Sequence, residues 1–511
     1  MKVNLLYANH DFDTTIEPPA GSVDLIEDLG LNQIFETMAR GDRFLFEVAR
    51  RVLLSSLDDA HSIVFRQKIL DDCLKQPEVI RELHAISVAA IEGEKQIWGF
   101  TNRQPAGILR RSRDALEHFV YLLKKLRQIT GEQAGQFRSE GLAKLCSTLA
   151  AELDDEYFRK LDRHLAQLKF DGGLLMSAEL GVGNKGVGYL LRTPGAKKPR
   201  WTERLGLGTR TSYSFEISPR DIASIRALSE LSDAGINPVA NAVAQSADHI
   251  RSFFTMLQFE LGFYVGCLNL HKRLREKGEP ACFPVPTQWD PPTLGFQGIY
   301  DVGLALRSGD RVVGNDADAD GKTLLMITGA NSGGKSTFLR SIGLAQVMMQ
   351  CGMFVGAESF HGSACDRLFT HFIREEDRSM TSGRLDEELN RMSFIADRIT
   401  TRSLILFNES FAATNEREGS EIARQIIRAL LESGIRILFV THLFDLAESF
   451  HSQGLATALF VRAERKSDGS RTYKLLEGGP LPTSYGQDLY RRLGGWLAEA
   501  ATNDSDIVGV A

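Results

Sequence analysis

The chain has 511 residues, 43% of them apolar and 25% charged, with a formal net charge of −6. These values are typical of a soluble globular protein of about two to four domains, and they exclude a chain that is basic throughout. No uncharged apolar run reaches the roughly 18 residues that a membrane-spanning helix needs, and the N-terminus is too acidic for a signal peptide. The six cysteines include no C-x-x-C pair, so neither a zinc site nor a disulfide framework is indicated. We expect a protein of the reducing cytoplasm.

Residues 22–171, which follow an N-terminal segment of residues 1–21, are predicted to form a mainly helical domain. Apolar residues recur there at helical spacing, for example Phe44, Val48 and Val52. The helix predicted over residues 108–129 carries a group of basic side chains: Arg110, Arg111, Arg113, Lys124, Lys125 and Arg127. We interpret this charge run as a solvated helix face.

Residues 172–218 form a glycine-rich segment that predicts a small β-rich insertion, with strands over 174–180, 188–192 and 212–217. We call this segment the basic module, and its candidate contacts to nucleic acid are Lys185, Lys197, Lys198, Arg200, Trp201 and Arg204. Cations beside an aromatic residue in a glycine-rich hairpin are typical of a contact with a phosphate backbone. A loop whose charges serve solubility fits the same residues, so both interpretations stay open.

Residues 219–279 are predicted to form long lever helices. Asn237 and Pro238 are typical of a helix start, with asparagine as the cap and proline in the first turn. Apolar residues follow at three- and four-residue spacing from Ile250 to Leu268, and Gly278 is expected to end the helix. A helix that runs from Asn237 to Gly278 is long enough to bridge parts of a structure rather than fill one small core.

Residues 280–497 are predicted to form an α/β domain, followed by a tail at residues 498–511. An apolar strand over residues 324–328 runs directly into GANSGGKS, which matches G-x-x-x-x-G-K-[ST] at every fixed position. Its glycines let backbone N–H groups face a phosphate, and the following helix adds its positive N-terminal end. We predict that Lys335 binds the β- and γ-phosphates and that Ser336 ligates Mg²⁺. The residues expected to contact nucleotide are Gly329, Ala330, Asn331, Ser332, Gly333, Gly334, Lys335, Ser336 and Thr337.

Two later strands are predicted to carry the remaining polar groups of the nucleotide site. The strand SLILF ends in Asn408 and Glu409, where a P-loop ATPase has its metal-binding and water-orienting residues. We predict that Asn408 assists Mg²⁺ binding, more weakly than an aspartate because an amide carries no charge. Glu409 is the predicted catalytic carboxylate. The strand over residues 436–440 ends in Thr441 and His442, and His442 is predicted to contact the γ-phosphate.

These segments resemble the MutS family of DNA mismatch-repair ATPases. The resemblance rests on TGANSGGKST at residues 328–337, SLILFNESFAATNEREG at 403–419, VTHLFDL at 440–446 and GPLPTSYGQDL at 479–489. A weaker similarity covers residues 43–83 and the long helix. The resemblance implies an α/β P-loop fold of the ABC and MutS type with a helical core and lever. It also implies ATP and Mg²⁺ as cofactors, DNA as a partner and a homodimer formed through the ATPase domain.

The chain departs from the MutS pattern in several places. About twenty residues precede the helical core, so we expect no domain with the family's Phe-x-Glu mismatch wedge, and no appended nuclease domain. The basic module stands where the family has a long helical clamp, and Asn408 stands where it has aspartate. The family's segment that reaches the partner's nucleotide falls near Ser382, which we name as a candidate.

The predicted function is that of an ATP-dependent DNA-binding protein of the MutS type. ATP hydrolysis would switch a dimeric clamp on duplex or branched DNA, in repair or recombination, without mismatch reading of its own. One alternative is a nucleotide-dependent factor that remodels or assembles protein or ribonucleoprotein complexes, which the acidic balance favours. Another is an ATP-binding clamp with little hydrolysis, which Asn408 suggests. An ABC-type ATPase outside this family is disfavoured, because no LSGGQ-like signature precedes Ser403.

Overall fold

The computed structural model describes residues 1–97, 104–133, 135–170, 173–192, 216–374, 383–466 and 470–482. Backbone contacts divide the chain into two compact units. The first, which we call the helical unit, comprises Met1–Asn4, Glu78–Arg138 and Leu142–Leu261. The second, the sheet unit, comprises Leu5–Pro77, Ser139–Gly141 and Gly262–Ala511. These units are discontinuous in the sequence, so they do not test the continuous domain bounds that the sequence predicts, and those bounds stay a prediction.

Helices dominate the described chain up to residue 276, and strands alternate with helices after it. The described helices are α1 Ser22–Leu29, α2 Leu31–Ala39, α3 Arg43–Leu54, α4 Ala60–Lys75, α5 Pro77–Ile97, α6 Pro105–Gln133, α7 Glu140–Glu152, α8 Asp155–Gln167, α9 Ile222–Glu276, α10 Val302–Arg307, α11 Lys335–Gln350, α12 Arg384–Ala396, α13 Glu416–Glu432 and α14 Phe444–His451. The described strands are β1 Met176–Leu180, β2 Gly186–Leu191, β3 Val285–Thr287, β4 Leu294–Ile299, β5 Asn315–Asp318, β6 Leu324–Gly329, β7 Ser359–Ser363, β8 Leu368–Phe372, β9 Leu404–Asn408, β10 Arg436–Val440, β11 Ala458–Arg465 and β12 Arg471–Glu477.

The helical unit is held together by apolar contacts between α6 and the part of α9 before residue 262. The rings of Phe119 and Phe254 lie 5.7 Å apart, and Leu109 packs in a small buried cluster with Ile236 and Ala240. On α6 most of the basic residues form ion pairs with neighbouring carboxylates: Arg110 with Asp114 (4.0 Å), Arg113 with Asp114 (2.7 Å), Lys124 with Asp162 (2.9 Å), Lys125 with Glu82 (3.6 Å) and Arg127 with Asp155 (2.6 Å). This charge run is a locally neutralised surface, as expected of a solvated helix face.

The long helix α9 begins earlier than its sequence pattern predicts. It starts at Ile222, so the prediction of a start at Asn237 and Pro238 is wrong, and Pro238 lies exposed inside the helix. The cap is supplied instead by Asp221, whose carboxylate accepts hydrogen bonds from the backbone N–H and the hydroxyl of Ser224 (3.1 and 2.6 Å). Among the described helices, α9 alone is long and apolar enough to cross a membrane. Its most apolar window is 83% buried within the protein, however, as in a core helix.

Part of the basic module is described, and it forms an antiparallel hairpin. Strands β1 and β2 pair from Met176 with Leu191 to Leu180 with Gly186, close to two of the three predicted strands. Lys185 is exposed in the connecting turn. The other candidate nucleic-acid contacts, Lys197, Lys198, Arg200, Trp201 and Arg204, lie outside the described residues, as does most of the third predicted strand.

A six-stranded sheet forms the centre of the sheet unit, with the order β12-β11-β6-β10-β9-β8. The pairings from β11 through β8 are parallel, and β12 is antiparallel to β11. Strands β6, β9 and β10 read as continuous apolar runs because both faces of the sheet are covered. A second, four-stranded sheet has the order β3-β7-β4-β5.

The two faces of the central sheet are covered by different helices. On one face, apolar residues of β6, β9 and β10 pack with residues of α12, α13 and α14, for example Met326, Phe407 and Phe439 with Ile427 and Phe450. On the other face, α11 passes so close that a Cβ on Gly343 would lie 2.6 Å from Leu406. This packing fixes the start of α11 against the carboxyl ends of the strands, where ligands bind in open α/β sheets.

Candidate functional site

The loop between β6 and α11 can form only with glycine at its key positions. Gly329 and Gly334 have φ angles of 108° and 91°, in the left-handed region. A Cβ on Gly329 would lie 2.7 Å from the backbone nitrogen of Ala463, and one on Gly333 would lie 2.8 Å from the carbonyl oxygen of Ala330. The glycines of the sequence motif are therefore required by close backbone approach as well as by the turn itself.

Lys335, the first residue of α11, is buried against this loop. Its Nζ donates hydrogen bonds to the carbonyl oxygens of Gly329 (3.0 Å) and Ala330 (3.2 Å), and burial lowers its pKa. A poorly hydrated ammonium group interacts more strongly with an anion than an exposed one does. The position and the environment of Lys335 both suit a phosphate group.

Ser336 and Asn408 bring two oxygen atoms together beside the loop. The Ser336 hydroxyl donates a 2.8 Å hydrogen bond to Oδ1 of Asn408, the last residue of β9. Hydroxyl and amide oxygens are suitable ligands for a hard cation such as Mg²⁺, so the pair fits that ion. Neither group carries a negative charge.

Glu409 and His442 face each other at the ends of β9 and β10. Glu409 has a φ angle of 55°, and its backbone N–H donates to the carbonyl of Val440 (2.9 Å). Its carboxylate lies 3.7 Å from Nδ1 of His442. This contact lowers the pKa of Glu409 and raises the pKa of His442. Glu409 is thus kept ionised, as a residue that orients or deprotonates water must be.

A cavity of about 720 Å³ opens over these groups. Its lining includes the predicted residues Asn331, Ser332, Gly333, Gly334, Lys335, Ser336, Thr337, Glu409 and His442. Gly329, Ala330 and Asn408 are not part of the lining. They are hydrogen-bonded to residues that are: Gly329 and Ala330 to Lys335, and Asn408 to Ser336. The predicted nucleotide residues thus converge at one end of the sheet. Ser382, the candidate contact to a partner's nucleotide, lies outside the described residues.

The remaining wall of the cavity was not predicted from the sequence. It includes Tyr300, Arg311, Val312 and Tyr473, a set that suits the flat apolar faces and polar edges of a nucleotide base. Tyr473 lies in an irregular part of the β11–β12 pairing, with a φ angle of 60° and 52% of its surface exposed. Its carbonyl accepts a hydrogen bond from the Asn315 side chain (3.2 Å). No motif marks these residues, because their positions depend on how segments that are distant in the chain pack together. An aromatic residue in the strand hairpin after His442, here Tyr473, is the one weak signal.

Comparison with known proteins matches two family models to this chain. The MutS2 N-terminal domain matches residues 58–277, and MutS domain V matches residues 325–494. The second match covers β6, the loop, Asn408, Glu409 and His442.

Curated relatives are similar to parts of the chain. The DNA mismatch repair protein MutS of Thermotoga maritima is 32% identical over 184 residues, which is 36% of this chain and 23% of that protein. The protein of the same name from Zymomonas mobilis is 28% identical over 265 residues, 50% of this chain and 30% of that protein. The one from Chloroflexus aurantiacus is 35% identical over 139 residues, 26% of this chain and 14% of that protein. The matched part of the chain thus spans less than a third of the length of these relatives. Family models over both halves of the sequence, together with these relatives, show that the chain belongs to the MutS family.

Proposed function

We propose that this protein binds and hydrolyses ATP at the cavity above the β6–α11 loop and uses that cycle to control its hold on DNA. The observation that carries the proposal is the convergence of Lys335, the Ser336–Asn408 pair and the Glu409–His442 pair at one end of the sheet. Lys335 supplies a cation for the phosphates, the Ser336–Asn408 pair supplies oxygen ligands for a metal ion, and the Glu409–His442 pair supplies a carboxylate for the water, which are the functions that phosphoryl transfer to water requires.

We assign a separate role to each group of residues at this site. Backbone N–H groups of the loop and the Lys335 ammonium bind the phosphates, and Glu409 orients the attacking water while His442 holds its carboxylate and faces the γ-phosphate. Ser336 and Asn408 would hold Mg²⁺, which neutralises charge on the phosphates when it is bound. Tyr473 and Val312 lie where they can contact the base.

The first test of the nucleotide site is the substitution Lys335→Ala. It removes the buried cation, and charged hydrogen bonds of this kind are worth enough that ATP affinity is expected to fall by about 10- to 100-fold. Binding of a fluorescent ATP analogue measures the change. The matched control is Lys322→Ala, because Lys322 precedes β6 at its opposite end and donates to the carbonyl of Ala456 (2.7 Å). Equal affinities for wild type and Lys335→Ala would contradict the proposed site.

DNA is the partner that we propose, because the curated relatives are named DNA mismatch repair proteins. In this proposal the dimeric clamp acts on duplex or branched DNA in the cytoplasm, and the basic module is its candidate contact. The proposal does not include mismatch reading by this chain.

A protein partner is the second candidate, and the β1–β2 hairpin favours it. Leu180 and Val182 expose 80% and 97% of their surfaces, and Leu190 is also exposed. An apolar hairpin surface is more typical of a protein contact than of a phosphate backbone. Stimulation of ATP hydrolysis by DNA distinguishes the two candidate partners.

A further inference from the structure

The turn that follows Glu409 has a backbone conformation that its residues do not favour on their own. Glu409 and Phe411 have φ angles of 55° and 64°, in the left-handed region, and neither is glycine. Ser410 and Phe411 are both fully buried. Such a conformation persists only where surrounding contacts hold it.

One of these contacts comes from helix α12. The carboxylate of Glu388, which is almost fully buried, accepts a 2.6 Å hydrogen bond from the backbone N–H of Phe411. Burial raises the pKa of Glu388, because exclusion of solvent disfavours the charged carboxylate. The hydrogen bond from the Phe411 N–H acts in the opposite direction and lowers this pKa.

A second contact comes from His371 near the end of β8. Its Nε2–H donates to the carbonyl oxygen of Glu388 (2.9 Å), and burial lowers its pKa to about 4, so the ring is neutral and Nδ1 is an acceptor. The Ser410 hydroxyl lies 2.7 Å from this Nδ1 and 2.5 Å from the carbonyl oxygen of the same histidine. The imidazole also stacks on the ring of Phe411, at 5.3 Å between centroids and 21° between planes.

The opposite side of the turn is closed by helix α13. A Cβ on Gly419 would lie 2.3 Å from the carbonyl oxygen of Phe411, so the helix backbone abuts the turn directly. The turn is therefore held on one side by Glu388 and His371 and on the other by α13. Glu409 directly precedes the two held residues, Ser410 and Phe411, and it lines the cavity.

We propose that Glu388 and His371 are positioning residues that fix the Glu409 carboxylate for attack on ATP. This inference rests on the proposed ATPase function. Removal of the Glu388 carboxylate leaves the Phe411 N–H buried without its acceptor, and the turn relaxes towards ordinary backbone angles. The Glu409 carboxylate then shifts relative to His442 and Lys335, while the loop that binds the phosphates is unchanged.

The central test compares Glu388→Ala with Glu388→Gln. We expect Glu388→Ala to lower kcat by about 10- to 100-fold with ATP affinity changed by less than about twofold, because misplacement of a catalytic group by about 1 Å costs that much. Glu388→Gln keeps an oxygen acceptor for Phe411 and should restore most of the rate. The matched control is Gln350→Ala, which also removes buried hydrogen bonds, to the carbonyls of Leu57 and Cys365, but at the far end of α11. It should retain kcat.

A double substitution separates positioning from a general loss of structure. In a Glu409→Gln background, which lacks the carboxylate to be positioned, Glu388→Ala should cause no further loss of the residual rate. A full additional loss there, or an unchanged kcat in the single Glu388→Ala variant, would overturn the inference. If the wild-type protein hydrolyses no ATP, the proposed function itself fails, which is a different result.

The Ser410→Ala variant tests the same turn if Glu388→Ala does not fold. It deletes only the hydroxyl that contacts His371, and we expect kcat to fall by about 3- to 10-fold at unchanged ATP affinity. Wild-type kcat in both Ser410→Ala and His371→Ala would overturn the inference.

Discussion

Asn408 is the residue at which the chemistry of this site departs most from that of a carboxylate-based ATPase. Its Oδ1 accepts a hydrogen bond from Ser336 (2.8 Å), so the geometry that would place a metal ligand is kept without the charge. Metal affinity in proteins rises with the number of charged oxygen ligands. We therefore expect this protein to need more Mg²⁺ than its Asn408→Asp variant would.

The Asn408→Asp substitution tests this at nearly constant shape. The added carboxylate should lower the Mg²⁺ concentration for half-maximal ATP hydrolysis by about 3- to 10-fold, which corresponds to roughly 1 kcal/mol. Asn415→Asp is a matched control, because Asn415 caps α13 outside the cavity and accepts from the backbone N–H of Glu418 (3.0 Å). A magnesium titration that does not move in Asn408→Asp would mean that the metal is held by other residues.

At the scale of single residues, the sequence predicted those whose role depends on a local motif. Lys335, Ser336, Asn408, Glu409 and His442 could be found because each lies within a short motif or at a strand end. Their assigned roles stay predictions.

Other residues around the site could not be found in this way. Glu388, His371 and Tyr473 carry no motif. Their positions depend on how α12, β8 and β12 pack, which one sequence does not reveal.

At the scale of elements, the start of α9 shows how a local signal can mislead. Asparagine followed by proline is typical of a helix start, yet Asp221 caps the helix sixteen residues earlier and the chain continues through Pro238. Ile236 and Ala240 flank the proline and pack with Leu109, and this burial stabilises the helix across it. Tertiary packing outweighs the local preference here.

The substitution Pro238→Ala tests whether the proline lies within the helix. Pro238 is exposed, so the change removes no core contact, and it restores a backbone N–H to a helix interior. We expect it to raise the free energy of unfolding by about 1–3 kcal/mol, measured by urea denaturation. Asn237→Ala serves as the companion variant: it should be neutral or slightly stabilising in a helix interior, whereas the loss of a capping residue would destabilise by about 1 kcal/mol. Destabilisation by both changes would contradict the continuous helix.

At the scale of the whole molecule, the sequence predicted the helical first half and the α/β second half. It did so because the spacing of apolar residues changes from helical periodicity to short buried runs near residue 280. The pairing order of the strands, the second sheet β3-β7-β4-β5 and the division into two units were not predictable, because they depend on contacts between residues distant in the chain.

We also predict that the chain forms a homodimer through its ATPase domain. In the family arrangement that the sequence resembles, each subunit contributes to the partner's nucleotide site, and Ser382 is the candidate residue for that contact. Light scattering at micromolar concentration with ATP should give twice the monomer mass, most clearly for Glu409→Gln, in which ATP persists. A monomer under these conditions would count against the dimer.

The most direct test of the account is ATP hydrolysis with and without DNA. The rate should be measured on matched duplex, mismatched duplex and branched DNA, with Lys335→Ala as the background. We predict that DNA raises the wild-type rate several-fold, with no greater effect of mismatched than of matched duplex, and that Lys335→Ala abolishes the activity. A wild-type rate equal to that of Lys335→Ala on every DNA would contradict the proposed ATPase, and a rate that no DNA changes would contradict DNA as the partner.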